Sequence, residues 1–145
     1  MPDDDDRSRA LDRAVRALAR RDHSTESLRA KLDRAGISAG AQEDAVETLA
    51  RVGYLDDARF ARDRAAHLAA RGYGDLWIRA DLEAQGVGAE TAEPALAALE
   101  PEAERAVRDA EKLGGGVKAV RSLGRRGFSD ESLEGIVSEV VAEEP

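Results

Sequence analysis

The chain has 145 residues, of which 42% are hydrophobic, 3% are aromatic and 36% are charged. Because alanine and leucine supply most of the apolar surface, close-packed helices are favoured over a sheet. The lack of cysteine excludes disulfides and thiolate metal sites. No stretch approaches the roughly 20 apolar residues of a membrane span. The net charge of −8 argues against a protein that simply coats DNA.

The N-terminus carries four consecutive aspartates at positions 3–6 and lacks the basic-then-apolar layout of a signal peptide. We therefore expect a cytoplasmic protein that does not associate with membranes. Like charges in a row repel one another and bury nothing, so residues 1–7 are predicted to form a disordered acidic tail.

Apolar residues at helical spacing begin directly after this tail and lie on one face from Leu11 to Leu18. Ser24 and Ser38 are candidate N-caps of a second and a third helix, and a glycine follows each of these helices. The pattern predicts a first unit of three short helices over residues 8–53.

The pattern recurs twice along the chain. The glycines that end the second helix of each unit are Gly36, Gly86 and Gly127. Aligned on these glycines, four columns are fully apolar: Leu32, Leu82 and Leu123; Ile37, Val87 and Phe128; Val46, Leu96 and Val137; Leu49, Leu99 and Val140. A repeat of about 40–50 residues is typical of helical arrays. We predict an all-α, elongated and curved solenoid-like array of three tandem three-helix repeats, at residues 8–53, 54–100 and 101–145.

Four strings resemble a known family. They are ALARRDHS at 17–24, GYLDDARFA at 53–61, RGYG at 71–74 and RRGFS at 125–129. In this order and spacing they resemble RecX proteins, and the likeness spans about residues 10–142. The resemblance implies a regulator that binds RecA and lies along the groove of the RecA filament on single-stranded DNA. Such a regulator would restrain filament growth, ATP hydrolysis, strand exchange and co-protease activity in recombination and SOS DNA repair.

The residues themselves give little support for catalysis. His23 stands beside a helix N-cap, His67 follows Asp63 by one turn, and no serine has the setting of a nucleophile elbow. The aspartates at 3–6 lack the spacing of a calcium loop, and the glycines at 114–116 lack that of a phosphate loop. We expect no enzymatic activity, no cofactor and no metal.

The basic residues are more informative, because residues 112–129 contain no acid in a chain that has an excess of acids. Within this stretch, Lys118, Arg121 and Arg125 form one helical stripe, which Arg126 extends. The stripe is either a solvated face or a surface that contacts phosphates or acidic side chains of RecA.

A second candidate contact surface lies around a glycine turn. Tyr73 and Trp77 flank this turn, and Arg71 and Arg79 are close in sequence. Aromatic rings beside arginines can stack on bases or anchor a protein interface. We favour the alternative that Trp77 caps the core of an aromatic-poor repeat.

Two other functions remain open from the sequence. One is a helix-turn-helix DNA-binding regulator that uses residues 117–126 as its recognition helix, although the acidic chain argues against it. The other is a helical adaptor with a protein partner only. In each case we expect the protein to act as a monomer.

Overall fold

The computed structural model describes residues 3–143 of the chain, and the side chains of residues 3–138. This part of the chain contains α-helices and no strand, which confirms the predicted all-α class. The helices are α1 (Asp4–Arg20), α2 (Thr25–Arg34), α3 (Ala39–Arg51), α4 (Asp57–Ala70), α5 (Asp75–Ala84), α6 (Ala89–Ala97), α7 (Glu102–Lys112), α8 (Gly116–Arg125) and α9 (Asp130–Glu143). None of these helices combines the length and apolarity that crossing a bilayer requires.

The first helix begins inside the segment that was predicted to be a disordered tail over residues 1–7. Asp3 is its N-cap, and its carboxylate accepts a hydrogen bond from the amide of Asp6 at 2.7 Å. Aspartates in a first turn also interact favourably with the helix dipole, which offsets their mutual repulsion. The prediction of a tail is therefore wrong from Asp3 onward, and positions 1 and 2 lie outside the described residues.

The buried face of α1 consists of small side chains, namely Ala10, Ala14 and Ala17. The larger apolar residues Leu11 and Val15 are 38% and 44% exposed. Alanines allow α1 to approach α3 closely, and this contact leaves Leu11 and Val15 at the surface, whereas Leu18 packs partly buried against the core.

Each group of three consecutive helices encloses an apolar core of its own. We name the groups unit 1 (α1–α3), unit 2 (α4–α6) and unit 3 (α7–α9), and propose that they are the three predicted repeats. Leu32, Leu82 and Leu123 are at most 1% exposed and occupy equivalent places in the three cores.

One predicted apolar column is not buried throughout. Val46 and Leu96 lie in their cores, whereas Val137 is 43% exposed and Ile136 is buried beside it. In another column, the side chain of Val140 lies outside the described residues.

The second helices of the three units stack end to end. The Ser24 hydroxyl, at the start of α2, donates to the carbonyl of Gln85 at the end of α5. The amide of Gly74, at the start of α5, donates to the carbonyl of Arg126 at the end of α8, at 2.8 Å. The C-termini of α5 and α8 therefore meet the N-termini of α2 and α5 in the preceding units, an arrangement that aligns the helix dipoles favourably.

Candidate partner-binding surface

Helix α8 carries the basic stripe that the sequence predicts. Ala119 and Leu123 are buried in the core of unit 3 and fix the orientation of the helix. The side chains of Lys118, Arg121 and Arg125 lie outside that core and are exposed to solvent. Because they are spaced by about one turn each, the three charges are distributed over about 10 Å of helix axis.

The stripe has no electrostatic partner in the part of the chain that the structure describes. Its three cations form no ion pair with any described residue, whereas Arg29 in α2 binds Glu43 at 2.6 Å and Arg64 in α4 binds Asp81. Residues 112–129 contain no acid, so no partner is available within the stretch itself. The stripe thus presents positive charge that is available to an anionic surface.

Arg126 lies at the junction of units 2 and 3. A Cβ atom built on Gly72 would be 2.7 Å from its Nη1 atom, so the guanidinium lies directly over that glycine. Arg126, Arg71 and Lys112 line a small cavity of about 90 Å³, together with the largely buried carboxylate of Asp109. Arg126 and Arg71, which are 55 residues apart in the sequence, therefore belong to one positively charged region.

Tyr73 and Trp77 form a stacked pair, with ring centroids 4.8 Å apart and an interplanar angle of 16°. The guanidinium carbon of Arg71 lies 6.0 Å from the centroid of the Tyr73 ring. We call the stacked pair of Tyr73 and Trp77 the aromatic shelf. Tyr73 packs against the core of unit 2, but Trp77 lies outside that core and is 45% exposed. Trp77 therefore does not cap the core of its repeat, which is the alternative that we favoured from the sequence.

Arg79 differs from the other predicted contact residues because its charge is already balanced. Its Nε atom donates to Glu93 Oε1 at 2.6 Å, and this hydrogen bond lowers the pKa of Glu93. The pair joins α5 to α6.

Sequence reasoning missed Arg105, which is 2% exposed at the junction of units 2 and 3. Its guanidinium donates to the Asp75 carboxylate, to the Tyr73 carbonyl at 3.2 Å and to the Glu100 carbonyl at 2.9 Å. It also lies 5.9 Å from the centroid of the Phe128 ring. These contacts hold the backbone of the aromatic shelf against unit 3.

Glu102 is the second residue that the sequence did not reveal. Its carboxylate accepts from the amide of Asp75 at 2.6 Å, and from the amide and hydroxyl of Ser129 at 3.0 and 2.6 Å. Burial by itself would raise the pKa of Glu102, but hydrogen bonds from Ser129, Ser132 and the two amides outweigh it and lower the pKa. The alignment of the repeats could have identified this residue, because Asp57 occupies the same first-turn position in α4.

The histidines are not assembled into a site. His23 is 2% exposed with its Nδ1 atom 2.7 Å from the Ser27 hydroxyl, and His67 is exposed on α4. Within the described residues, no three acidic or histidine side chains form a group that could hold a metal ion.

The fold and this surface define an all-α helical-repeat protein with an unpaired basic helix beside an aromatic shelf. A family model described as the second three-helix domain of RecX matches residues 56–96. Over 133 residues the chain is 37% identical to Regulatory protein RecX of Xanthomonas axonopodis pv. citri (strain 306), a match that covers 85% of this chain and 82% of the relative. It is 34% identical to Regulatory protein RecX of Stenotrophomonas maltophilia (strain R551-3), with the same coverage. The chain belongs to the RecX family of regulatory proteins, as the four sequence strings predict.

Two crystal structures share the fold. RecX from Lactobacillus salivarius superposes with a TM-score of 0.81 at 20% sequence identity, over 95% of this chain and 98% of that one. A second regulatory protein RecX gives a TM-score of 0.79 at 22% identity, over 92% of this chain and 74% of that one. The arrangement of helices is therefore that of experimentally determined RecX structures.

Proposed function

We propose that this protein binds RecA and the RecA filament on single-stranded DNA in the cytoplasm and inhibits filament growth, ATP hydrolysis, strand exchange and co-protease activity. RecA is the partner that the family resemblance implies, in recombination and SOS DNA repair. The protein acts by binding, as a regulator without a catalytic step of its own.

The observation that carries this proposal is the unpaired stripe of Lys118, Arg121 and Arg125 in a chain with a net charge of −8. At physiological salt, charges are screened over roughly 8 Å, so the acids of distant helices do not cancel a local basic surface. A filament of protein on DNA offers two anionic surfaces to such a stripe, the phosphates and the carboxylates of RecA. Arg126 extends the same positive region toward the aromatic shelf.

The proposal is tested by titrating the protein into RecA, ATP and single-stranded DNA while following ATP hydrolysis. The unaltered protein should slow hydrolysis. The double variant Arg121→Glu/Arg125→Glu should require a higher concentration, on the order of tenfold, because two attractive contacts become repulsive. Both side chains lie outside the core, so the variant should remain folded, which circular dichroism checks.

The matched control is Arg20→Glu/Arg34→Glu, which makes the same charge change on exposed residues of unit 1. Arg20, Arg34 and Arg125 all lie in the last turn of a helix, so the cost to the helix dipole is similar. The control should regulate RecA like the unaltered protein. Equal inhibition by both double variants would show that the stripe is a solvated face that does not contact the filament.

The salt dependence of filament binding separates the two anionic surfaces. If the stripe binds phosphates, the slope of log affinity against log salt should shrink by about one unit for each phosphate that the variant no longer neutralises. If it binds RecA carboxylates, affinity should fall with a smaller change in slope, because fewer condensed counterions are released.

A further inference from the structure

The aromatic shelf contains an exposed indole, that of Trp77, which the fold alone does not require. Trp77 is the only tryptophan of the chain, and 45% of its surface is exposed although one ring face lies on Tyr73. In the alignment of the second helices, the same position is Ser27 in unit 1 and Lys118 in unit 3. The position therefore accepts small or polar residues, so core packing does not explain an indole there.

The shelf is held rigidly by the neighbouring unit. A Cβ atom on Gly127 would lie 2.5 Å from the backbone nitrogen of Trp77, so the turn after α8 is in direct contact with the backbone of Trp77. The amides of Gly74 and Leu76 donate to the carbonyls of Arg126 and Gly127 at 2.8 and 3.1 Å. A flat ring whose backbone is fixed in this way loses little conformational freedom when a second ring stacks on it.

Two arginines lie near the shelf, where they share a small cavity with the largely buried carboxylate of Asp109. Arg71 lies beside the Tyr73 ring, and the Arg126 guanidinium lies over Gly72, between these two residues in the sequence. Neither arginine forms an ion pair with a described residue, and the stripe of α8 leads away from Arg126 along the same helix. A ligand that matches this arrangement has exposed flat rings and closely spaced negative charges.

We propose that the aromatic shelf stacks an unpaired base of single-stranded nucleic acid, while Arg71, Arg126 and the stripe bind the adjacent phosphates. In a duplex the ring faces are covered by neighbouring bases, whereas a single strand can turn a base outward onto an aromatic side chain. In a single strand every base adjoins a phosphate, so one ligand supplies both the flat ring and the negative charge, whereas a protein surface supplies them from separate residues. The proposal rests on the proposed function, because it assigns a ligand to the same surface.

The single tryptophan makes a direct test available. The full-length protein without RecA is titrated with oligothymidylate, with an abasic strand of equal length and charge, and with a duplex, while the fluorescence of Trp77 is followed. Oligothymidylate should quench the fluorescence and bind more tightly than the abasic strand, and the duplex should leave the fluorescence unchanged. Equal affinity for the first two strands with unchanged fluorescence would overturn the proposal.

Variants separate stacking from charge. Trp77→Leu should weaken the binding of a fluorescein-labelled oligothymidylate by about tenfold and leave the affinity for the abasic strand unchanged. Trp77→Phe, which keeps a ring, should recover most of the affinity. Leu76→Ala is the matched control, because Leu76 is 56% exposed in the same helical turn and has no ring; this variant should bind like the unaltered protein.

The outcomes also distinguish this proposal from the proposed function. If Trp77→Leu lost the regulation of RecA but bound oligothymidylate normally, Trp77 would be an anchor for a protein and the stacking proposal would be wrong. If oligothymidylate quenched Trp77 while the protein had no effect on RecA ATP hydrolysis, stacking would stand and the proposed function would fail.

Discussion

The two junctions between units follow one scheme. In each, a carboxylate from the first helix of one unit caps the second helix of the preceding unit. Asp57 Oδ1 accepts from the amide of Thr25 at 2.7 Å, and Glu102 Oε2 accepts from the amide of Asp75 at 2.6 Å. A carboxylate at this place satisfies a free amide and interacts favourably with the helix dipole. These two capping hydrogen bonds therefore connect neighbouring units.

The junctions differ one turn further along the first helix. Three residues after the capping carboxylate, α4 has the buried Phe60 and α7 has the buried Arg105. Arg105 makes directional hydrogen bonds to Tyr73 and Asp75 of unit 2, whereas Phe60 belongs to the apolar core of its own unit. Directional bonds specify one relative orientation more strictly than apolar packing does. The junction that carries the aromatic shelf is thus the polar one.

The largest expected effect comes from the glycines at the ends of the second helices. Gly36, Gly86 and Gly127 all have a positive φ, so alanine costs about 1–2 kcal/mol of strain at each. At Gly36 nothing else lies within 4 Å, at Gly86 the new Cβ meets the Glu26 side chain, and at Gly127 it meets the Trp77 backbone. Overpacking adds about 1–3 kcal/mol. In urea unfolding, the loss of unfolding free energy should be largest for Gly127→Ala, smaller for Gly86→Ala and smallest for Gly36→Ala. Three equal losses would mean that the units do not touch at these turns.

The next prediction concerns substitutions of Arg105 and Phe60, the residues that distinguish the two junctions. Arg105→Met keeps an unbranched apolar stem but leaves the Asp75 carboxylate and the Tyr73 carbonyl without their donor, which should cost about 3 kcal/mol of unfolding free energy. Phe60→Met exchanges one apolar side chain for another and should cost about 1 kcal/mol. Denaturant unfolding measures both. Arg108→Met, at an exposed ion pair on the same helix, controls for loss of charge and should cost less than about 1 kcal/mol. Similar losses for Arg105 and Phe60 would remove the distinction between the two junctions.

Acid should weaken the junction of units 2 and 3 through Glu102. Its pKa is lowered in the folded protein, so its contribution to stability is complete above the unfolded value near 4.5 and is lost as the pH falls through the folded value. The melting temperature of the unaltered protein should therefore drop more between about pH 5 and about pH 3 than that of Glu102→Gln. The exposed Glu104, on the same helix, provides the control, and Glu104→Gln should retain the steep profile.

Unit 1 should respond at a higher pH through His23, with the smallest effect of the four. Burial, followed by the charges of Arg21 and Lys31, lowers the pKa of His23 in the folded protein below 6.5. The contribution of His23 to the free energy of unfolding is therefore complete above its pKa in the unfolded chain. It is lost as the pH falls from about 6.5 toward its pKa in the folded protein. Over this pH range, the melting temperature of His23→Gln should change less than that of the unaltered protein. His67→Gln, at an exposed position, should follow the parent profile. A flattened profile for both variants would show that the effect is not specific to the buried His23.

The sequence by itself determined the helices and their order. Ser24 and Ser38 cap α2 and α3 as predicted, with hydroxyls that accept from amides three residues later at 3.0 and 3.3 Å. Leu32, Leu82 and Leu123 are buried where the repeat places them. Caps, helical periodicity and terminal glycines act between residues a few positions apart, so a linear sequence records them directly.

Only the tertiary structure decided which charges are neutralised and which rings are exposed. Arg105 and Arg121 are both arginines on predicted helices, yet one is buried against residues about thirty positions earlier and the other forms no ion pair with a described residue. The sequence predicts that Trp77 caps a core, but this residue is 45% exposed and its backbone contacts the turn after α8. The free energy of a charge or a ring depends on what other units place beside it, and helical spacing within one unit carries no record of those neighbours.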